Sequence, residues 1–243
     1  MDWPTIRPCF TPAPRNVSRD PDKPGPHRYG VAMSLVLYDY WRSSASYRVR
    51  IALNLKGAEH ERVPVNLLDG EQWEEAYRAR NPQGLVPMLE ADGVRMTQSL
   101  AIISWLDAQF PDPPLLPADP GDRAHVLALA LAIAADIHPL NNLRVLKRLK
   151  ELGVDQEARD DWYRHWIREG FEAIEALAAP RAGRFLFGDA VSLADVCLVP
   201  QMYNARRFDL PLDAWPTLVR ADGEASALDA FAAAHPDRVA PAA

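Results

Sequence analysis

The chain has 243 residues, of which 48% are hydrophobic and 25% charged, and its formal net charge at pH 7 is −6. This balance is typical of a soluble globular protein, and the acidic charge argues against nucleic acid as a partner because phosphate binding needs a concentrated basic surface. The longest apolar run, Val126 to Ala135, is shorter than the roughly 20 residues of a membrane-spanning helix. Two cysteines, Cys9 and Cys197, exclude a disulfide framework and favour a reducing cytoplasm.

The first predicted segment, residues 1–33, is a disordered tail. Residues 1–30 contain seven prolines and no apolar periodicity, and proline lacks the amide donor that helices and sheet interiors need. The segment has no apolar stretch of a secretory signal, and its prolines exclude the amphipathic helix of an organelle-targeting peptide. A second interpretation is that translation starts at Met33, immediately before the first strand-like run.

Residues 34–112 alternate predicted strands and helices in the order β-α-β-α-β-β-α. The predicted strands are 35–38, 62–65, 86–90 and 94–96, the last two joined as a hairpin by Asp92-Gly93. The predicted helices are 43–56, 72–80 and 99–110. This order indicates an α/β domain in which helices pack on a mixed sheet.

A predicted linker, residues 113–121, changes the character of the chain, since 111–121 contains five prolines and a glycine. Beyond it, only helical periodicity is found. The predicted helices are 122–137, 139–152, 156–179, 192–208 and 225–234. Residues 122–243 are therefore predicted to form an all-helical domain. Ser192 and Asp195 have the spacing of a capping box that starts one of its helices.

Three local features of the first half indicate a binding site. Arg42, Ser43 and Ser44 precede a helix, where hydroxyls and a positive helix end suit a thiolate or another anion, although capping alone accounts for one serine. Val86-Pro87 starts a strand, so the proline lies at an edge or a bend, and the sequence leaves both a cis and a trans bond open. Gln98-Ser99 starts a helix, where the two residues together could hold a carboxylate on backbone donors. Alternatively, Ser99 is only the N-cap of that helix.

Together these features resemble the zeta-class glutathione transferases. The similar runs are SSASYRVRIAL (43–53), NPQGLVP (81–87), QSLAII (98–103), HPLNNLR (138–144), CLVPQ (197–201) and NARRF (204–208). The resemblance extends over about residues 34–238. It implies an α/β plus all-α architecture, the glutathione transferase fold, with an N-terminal thioredoxin-like glutathione-binding domain and a C-terminal helical bundle that carries the substrate site.

The resemblance implies that glutathione is the cofactor. The positions that match its binding residues are Ser43, Ser44, Gln72, Val86, Gln98, Ser99, His138 and Asn142. Ser43 is the first candidate for the catalytic hydroxyl that stabilises the thiolate, and Ser44 is the second. Arg42, Arg144 and Arg207 are the candidates for substrate binding, because guanidinium groups match carboxylates. The six histidines have no metal-ligand spacing, so no metal site is expected.

The implied activity is the cis–trans isomerisation of maleylacetoacetate in tyrosine and phenylalanine breakdown. Glutathione adds to the double bond, the resulting single bond rotates, and elimination regenerates the cofactor. The alternatives are maleylpyruvate isomerisation, transferase or α-haloacid dehalogenating activity, and a non-catalytic transferase-like binding protein. The expected partners are a small dicarboxylate and a second copy of the chain, in the cytoplasm, with no nucleic acid and no membrane.

Two residues depart from the pattern of the resembled family. Ala45 stands where eukaryotic members have a cysteine, so no side-chain thiol is available next to the two serines. Asn141 stands where some members have glutamine, which leaves the shape of the acceptor pocket and the identity of the substrate less certain. Because Ala45 supplies no thiol, the chemistry is expected to depend on Ser43 and on the glutathione thiol.

Overall fold

The computed structural model describes residues 33–241, so the predicted tail and Cys9 lie outside the described residues. The first elements are β1 (Leu35–Asp39), α1 (Ser44–Leu55), β2 (Glu61–Pro64), a 3₁₀ helix (Glu71–Trp73), α2 (Glu75–Arg78), β3 (Met88–Ala91), β4 (Val94–Thr97) and α3 (Ser99–Gln109). The remaining elements are α4 (Pro120–Leu131), a π-helix (Ala132–Ile137), α5 (His138–Leu140), α6 (Leu143–Glu151), α7 (Gln156–Ala178), α8 (Leu193–Arg207), α9 (Pro216–Ser226), α10 (Asp229–Ala234) and α11 (Pro236–Val239).

The four strands form one mixed sheet in the order β2-β1-β3-β4. β1 runs parallel to β2 and antiparallel to β3, with Leu37 opposite both Arg62 and Leu89. β3 and β4 form the predicted hairpin, and its two turn residues, Asp92 and Gly93, both have positive φ, as a tight two-residue turn requires. The predicted combination of a mixed α/β sheet and a mostly helical second half is therefore confirmed.

α1 joins the sheet half to the helical half. It contacts α3 in the first half and both α8 and α10 in the second. Its apolar residues Val49, Ile51 and Leu53 are completely buried. A helix packed on so many sides has little freedom to move, so the loop that precedes it is anchored at a fixed place in the fold.

α8 is the central helix of the second half and begins with the predicted capping box. One oxygen of the Asp195 carboxylate accepts hydrogen bonds from the Ser192 backbone N–H at 2.8 Å and from its hydroxyl at 2.9 Å. The other oxygen accepts from the Leu186 N–H at 2.9 Å. Asp195 is completely buried, as is Cys197 two residues further along the helix. The box therefore anchors the preceding loop as well as the start of the helix.

The stretch Pro120–Glu151 is long and apolar enough, by length and composition, to cross a membrane. Its side chains Val126, Leu129 and Ile133 are completely buried in the core of the protein. The chain also leaves helical geometry at residues 141–142, between α5 and α6. These observations favour a helix that packs one face into the core of the fold.

Some predicted helices differ from the observed ones. The predicted helix 72–80 is a short 3₁₀ helix followed by α2, because Glu74 between them is extended. The predicted helix 225–234 was wrong in its extent: α9 starts at Pro216, a favoured first helical residue, and an extended Leu228 separates it from α10. The predicted division at residues 113–121 stays a prediction, although the segment between α3 and α4 contains neither helix nor strand.

The predicted helix boundary near residue 138 was also wrong. The helix that starts at Pro120 continues through the π-helix to Leu140, and α6 starts only after Asn142. The Asn142 side-chain oxygen caps α6 by accepting a hydrogen bond from the Arg144 N–H at 3.1 Å. Proline is tolerated at residue 139 because the π-helix precedes it and α5 ends one residue later.

Candidate functional site

Two adjoining cavities lie between the sheet half and the helical half, with volumes of about 250 and about 330 Å³. They share the lining residues Leu85, Val86, His138, Asn142 and Arg144. We call the smaller one the serine cavity, because Ser43 and Ser44 line it, and the larger one the Ser99 cavity. Their common wall makes them two parts of a single elongated cleft.

The structure brings all of the predicted site residues to this cleft. The serine cavity is lined by Arg42, Ser43, Ser44, Gln72, Val86, His138, Asn142, Arg144 and Arg207. The Ser99 cavity is lined by Val86, Gln98, Ser99, His138, Asn142 and Arg144. Residues from both halves of the chain thus meet in one place, and the individual role of each residue stays a prediction.

The two serines differ in how their hydroxyls are used. Ser43 is the N-cap of α1, and its side-chain oxygen accepts a hydrogen bond from the Ser46 N–H at 3.3 Å. Its own O–H remains available to donate into the cavity. Ser44 is buried, and its oxygen accepts from the Asn204 side-chain amide at 2.6 Å. Both hydroxyls lie at the positive end of a 12-residue helix, an environment that favours an anion.

A hydrogen-bonded chain connects the substrate arginine candidate on α8 to the serine loop. Arg207 donates to the side-chain oxygen of Asn204 at 3.3 Å, and Asn204 in turn donates to Ser44. Asn204 was not predicted as a site residue. The signal that could have found it is its spacing of three from Arg207, which places both side chains on one helix face.

Gln98 and Ser99 occupy the start of α3, at the wall of the Ser99 cavity. Gln98 has φ +69°, a conformation that non-glycine residues seldom adopt and that is concentrated at functional sites. Its side-chain amide donates to Gln83 at 3.0 Å. Val86, in the same wall, precedes Pro87 across a cis peptide bond, which answers the question that the sequence left open. The wall therefore offers main-chain groups and a helix N-terminus to a ligand.

His138 lies between the two cavities, directly after the π-helix. Burial, and to a smaller extent the nearby Arg48 guanidinium, lowers the pKa of His138 to about 3. The imidazole is therefore neutral at physiological pH. The π-helix itself can approach α7 closely because Gly170 has no side chain: a Cβ atom there would collide with Ile137. π-Helical turns are frequent at functional sites, and this one places His138 in the cleft.

The charges that line the cleft all have the same sign. Arg42, Arg144, Lys147 and Arg207 line the serine cavity, and neither cavity has an aspartate or glutamate among its lining residues. None of these four cations forms a salt bridge with a carboxylate of residues 33–241. Arg42 lies against the Trp41 ring, 4.2 Å from its centroid. Such a cavity suits a small molecule with more than one negative charge.

Unpartnered polar atoms in the cleft fit the expected tripeptide cofactor. The Gln72 side chain is buried, and its oxygen has no partner among the described residues, so it is ready to accept from a ligand N–H. The serine hydroxyls, the Val86 backbone and the start of α3 follow it along the cleft. Among residues 33–241, no group of three or more potential metal ligands is found.

Comparison with known proteins identifies close relatives. The N-terminal domain family of glutathione S-transferases matches residues 37–114. Maleylacetoacetate isomerase of Rhizobium meliloti (strain 1021) is 53% identical over 213 residues, 87% of this chain and all of the relative.

Two solved structures are similar over nearly their whole length. The holo structure of maleyl pyruvate isomerase, a bacterial zeta-class glutathione S-transferase, has a TM-score of 0.83 at 46% identity, covering 86% of this chain and 100% of that one. A maleylacetoacetate isomerase from Anaeromyxobacter dehalogenans 2CP-1 has a TM-score of 0.79 at 46% identity, covering 87% and 99%. The second has dicarboxyethyl glutathione and citrate bound in its active site.

Proposed function

Because the chain belongs to the zeta-class glutathione transferases, we propose that it catalyses the glutathione-dependent cis–trans isomerisation of maleylacetoacetate to fumarylacetoacetate, a step of tyrosine and phenylalanine breakdown. One observation carries the proposal: helix-start hydroxyls that suit a thiolate share a cavity with several cations and no acidic residue. A thiol nucleophile and an unsaturated diacid are the two reactants that such a cavity fits.

Glutathione is the cofactor, and when bound it supplies a thiolate that adds reversibly to the conjugated double bond, so that the bond can rotate. A free cysteine thiol has a pKa near 8.5 and is mostly protonated at neutral pH. The protein must therefore favour the anion. In our proposal the Ser43 hydroxyl donates a hydrogen bond to the sulfur, Ser44 is a second donor, and the start of α1 adds a positive potential.

The remaining cofactor contacts that we propose are made by other residues that line the cleft. In our proposal the Val86 main chain pairs with the peptide, and Gln98 with Ser99 holds the γ-glutamyl carboxylate on donors at the start of α3. The other three proposed contacts are Gln72, His138 and Asn142. Asn142 uses its side-chain oxygen to cap α6, so its amide N–H₂ is the group left to face a ligand.

We assign the substrate carboxylates to the guanidinium groups of Arg42, Arg144 and Arg207. Addition to the double bond moves negative charge onto the conjugated carbonyl oxygen, and a guanidinium that stays charged stabilises that oxygen as the charge develops. Arg207 is linked to the serine loop, because it donates to Asn204, which in turn donates to Ser44.

The direct test measures turnover of maleylacetoacetate and of maleylpyruvate with the wild-type protein, with and without glutathione. We expect isomerisation only in the presence of glutathione, with no net consumption of it, and a larger kcat/KM for maleylacetoacetate. Equal rates without glutathione would contradict the mechanism. Absence of any turnover would favour a non-catalytic binding protein, and chloride release from an α-chloro acid would favour dehalogenation.

Maleylpyruvate isomerisation is the second candidate, because a maleyl pyruvate isomerase is among the most similar structures. Both candidate substrates are unsaturated diacids with a conjugated carbonyl, so the cation cluster suits either. A larger kcat/KM for maleylpyruvate in the test above would favour this reading. Neighbouring genes separate the two independently, since a homogentisate dioxygenase gene favours the first and a gentisate dioxygenase gene the second.

Replacing Arg207 with alanine is expected to raise the KM for the diacid about 10- to 100-fold, the effect of losing one charged hydrogen bond. The glutathione Kd, measured by calorimetry, should change less than about threefold, since Arg207 is assigned to the substrate carboxylate and not to glutathione. Arg206→Ala is the matched control on the same helix, because Arg206 lines neither cavity and pairs with Asp222 instead. A collapse of glutathione binding in Arg207→Ala would contradict the assignment.

We also propose that the protein is a cytoplasmic homodimer. The resemblance implies the dimer, and two exposed apolar side chains support it: Val94 on β4 and Leu131 on α4 are 63% and 45% exposed. Leu131 also borders the Ser99 cavity, where a second copy would close its outer side. Light scattering should give twice the 27.1 kDa chain mass. Cys197 is buried and forms no disulfide within residues 33–241, which is consistent with a reducing compartment.

A further inference from the structure

Arg48 on α1 is a buried cation with almost no partners among the described residues. Its side chain is 1% exposed, and the one hydrogen bond it forms there joins Nη1 to the Ser99 hydroxyl oxygen at 3.3 Å. Its Nε and Nη2 atoms are buried without a partner. Because arginine stays protonated in proteins, a full positive charge lies in the interior with most of its donors unused.

A second buried arginine on the same helix has the hydrogen-bond acceptors that a structural arginine normally has. Arg50 is 2% exposed, yet it donates to the Asp39 carboxylate at 2.7 Å and to the carbonyl oxygens of Trp41 and Ala234 at 3.0 Å each. The two arginines are two residues apart. Among the described residues, Arg50 finds acceptors for its guanidinium, whereas most donors of Arg48 find none. Burying an unpaired charge is strongly unfavourable, so a counter-charge from outside the chain would explain why Arg48 is tolerated.

In the described part of the chain, the ionisable groups that interact with Arg48 are His138 and Cys197, and neither supplies that counter-charge. The pKa of His138 is lowered to about 3, so its imidazole is neutral at pH 7. Burial raises the pKa of the Cys197 thiol to about 11, so it is neutral as well. Burial also lowers the pKa of Arg48 itself, which is the electrostatic sign of a charge without compensation.

Arg48 lies at the wall of the Ser99 cavity, together with Gln98 and Ser99. Ser99 is the first residue of α3, an 11-residue helix with its positive end at this wall. Since Ser99 accepts a hydrogen bond from Arg48, the O–H of Ser99 is free to donate into the cavity. A buried cation, a hydroxyl donor and a helix start therefore lie together in this wall, and each of the three favours binding of an anion.

We propose that Arg48 is a positioning residue for the cofactor: its buried charge, acting through the Ser99 hydroxyl, is balanced by the α-carboxylate of the γ-glutamyl group of glutathione. The inference rests on the proposed function, because it takes glutathione as the occupant of the cleft. It explains why the guanidinium has no carboxylate partner among residues 33–241. It also couples α1, which carries the serine loop, to occupancy of the Ser99 cavity.

The test combines a variant with an altered ligand. Calorimetry gives the Kd of glutathione and of its analogue without the α-carboxylate, 4-aminobutyryl-Cys-Gly, for wild type and for Arg48→Met. We expect Arg48→Met to bind glutathione about 10- to 100-fold more weakly and to bind the analogue within about threefold of wild type. Arg48→Lys, which keeps the charge, should recover part of the loss.

Thermal unfolding without ligand separates this role from a structural one. Replacing an uncompensated buried charge by a side chain of similar volume should leave the Tm unchanged or raise it, whereas removal of a structural partner lowers it. Arg168→Met, at an exposed position of α7 outside both cavities, controls for loss of one positive charge and should bind both ligands as wild type does.

Two results would overturn the inference. One is a glutathione Kd of Arg48→Met, or of Arg48→Gln if the methionine variant does not fold, within threefold of wild type. The other is an equal loss of affinity for both ligands. If the wild-type protein bound no glutathione, the proposed function itself would fail. The wild-type Kd is measured first, so this outcome is distinguished from a failure of the inference about Arg48.

Discussion

Replacing Ser43 with alanine is expected to lower kcat about 100- to 1,000-fold and to change the glutathione Kd less than about threefold, as for loss of one donor to a reacting anion. The Ser43 oxygen already accepts from Ser46, so its O–H is free to stabilise the thiolate. Without it, the pKa of the bound thiol should rise toward its ordinary value near 8.5. The thiolate ultraviolet absorbance should then appear at higher pH, and the rising limb of the kcat/KM profile should shift with it.

Two variants control this experiment. Ser46→Ala removes a buried hydroxyl from the same helical turn. This hydroxyl has no hydrogen-bond partner among residues 33–241, and Ser46 lines neither cavity. Near wild-type activity is therefore expected. Ser43→Thr keeps both the cap and the hydroxyl and should retain most of the activity. An unchanged thiol pKa in Ser43→Ala, or a larger rise in Ser44→Ala, would transfer the catalytic role away from Ser43.

Replacing Asp39 with alanine is expected to lower the free energy of unfolding by about 3–5 kcal/mol, the effect of breaking a buried ion pair. Asp39, at the end of β1, is 1% exposed and accepts from Arg50 at 2.7 Å and from Arg62 at 2.6 and 3.0 Å. Its removal leaves the Arg50 guanidinium buried without a counter-ion. For a chain of this size the Tm should fall by about 6–20 °C in calorimetry.

The matched control is Glu90→Ala on the neighbouring strand. Glu90 also contacts two arginines, Arg80 at 3.3 Å and Arg95 at 3.1 Å, but its side chain is 24% exposed. We expect a loss below about 1 kcal/mol, the usual value for a solvated pair. Equal losses for the two variants would mean that burial does not determine the strength of the Asp39 contacts. Because Arg50 also holds the Trp41 carbonyl, Asp39→Ala should disturb the serine loop and lower activity as well.

Local signals in the sequence were sufficient where neighbouring residues decide the structure. The Asp92-Gly93 hairpin and the Ser192–Asp195 capping box were predicted and found, because each depends on contacts within a few residues. The break before α10 was missed, since Leu228 is apolar and carries no turn signal, although its backbone is extended. The start of α9 was missed although Pro216 is a favoured first helical residue. The π-helix was missed for a similar reason: helical periodicity alone does not distinguish it from an α-helix.

In the candidate site, too, the local runs were predictable from the sequence and the long-range contacts were not. Motif resemblance was enough to name Ser43, Val86 and Ser99, because each belongs to a short run of characteristic residues. Their hydrogen-bond partners come from distant parts of the chain, as Asn204 does for Ser44, 160 residues away. Sequence spacing carries no information about such pairs, and only the structure shows which hydroxyls are occupied and which remain free to act.

Arg48 and Arg50 illustrate the difference most clearly. The pattern of residues was enough to predict that both lie on one helix with an apolar stripe, that a mixed α/β half precedes a helical half, and which short runs line the candidate site. Folding then gives the two arginines different partners: Arg50 donates to Asp39 and to two carbonyl oxygens, whereas Arg48, within the described part of the chain, donates to Ser99 alone. The physical reason is that compensation of a buried charge depends on groups brought together by folding, and folding brings them from the sheet, α3 and α10.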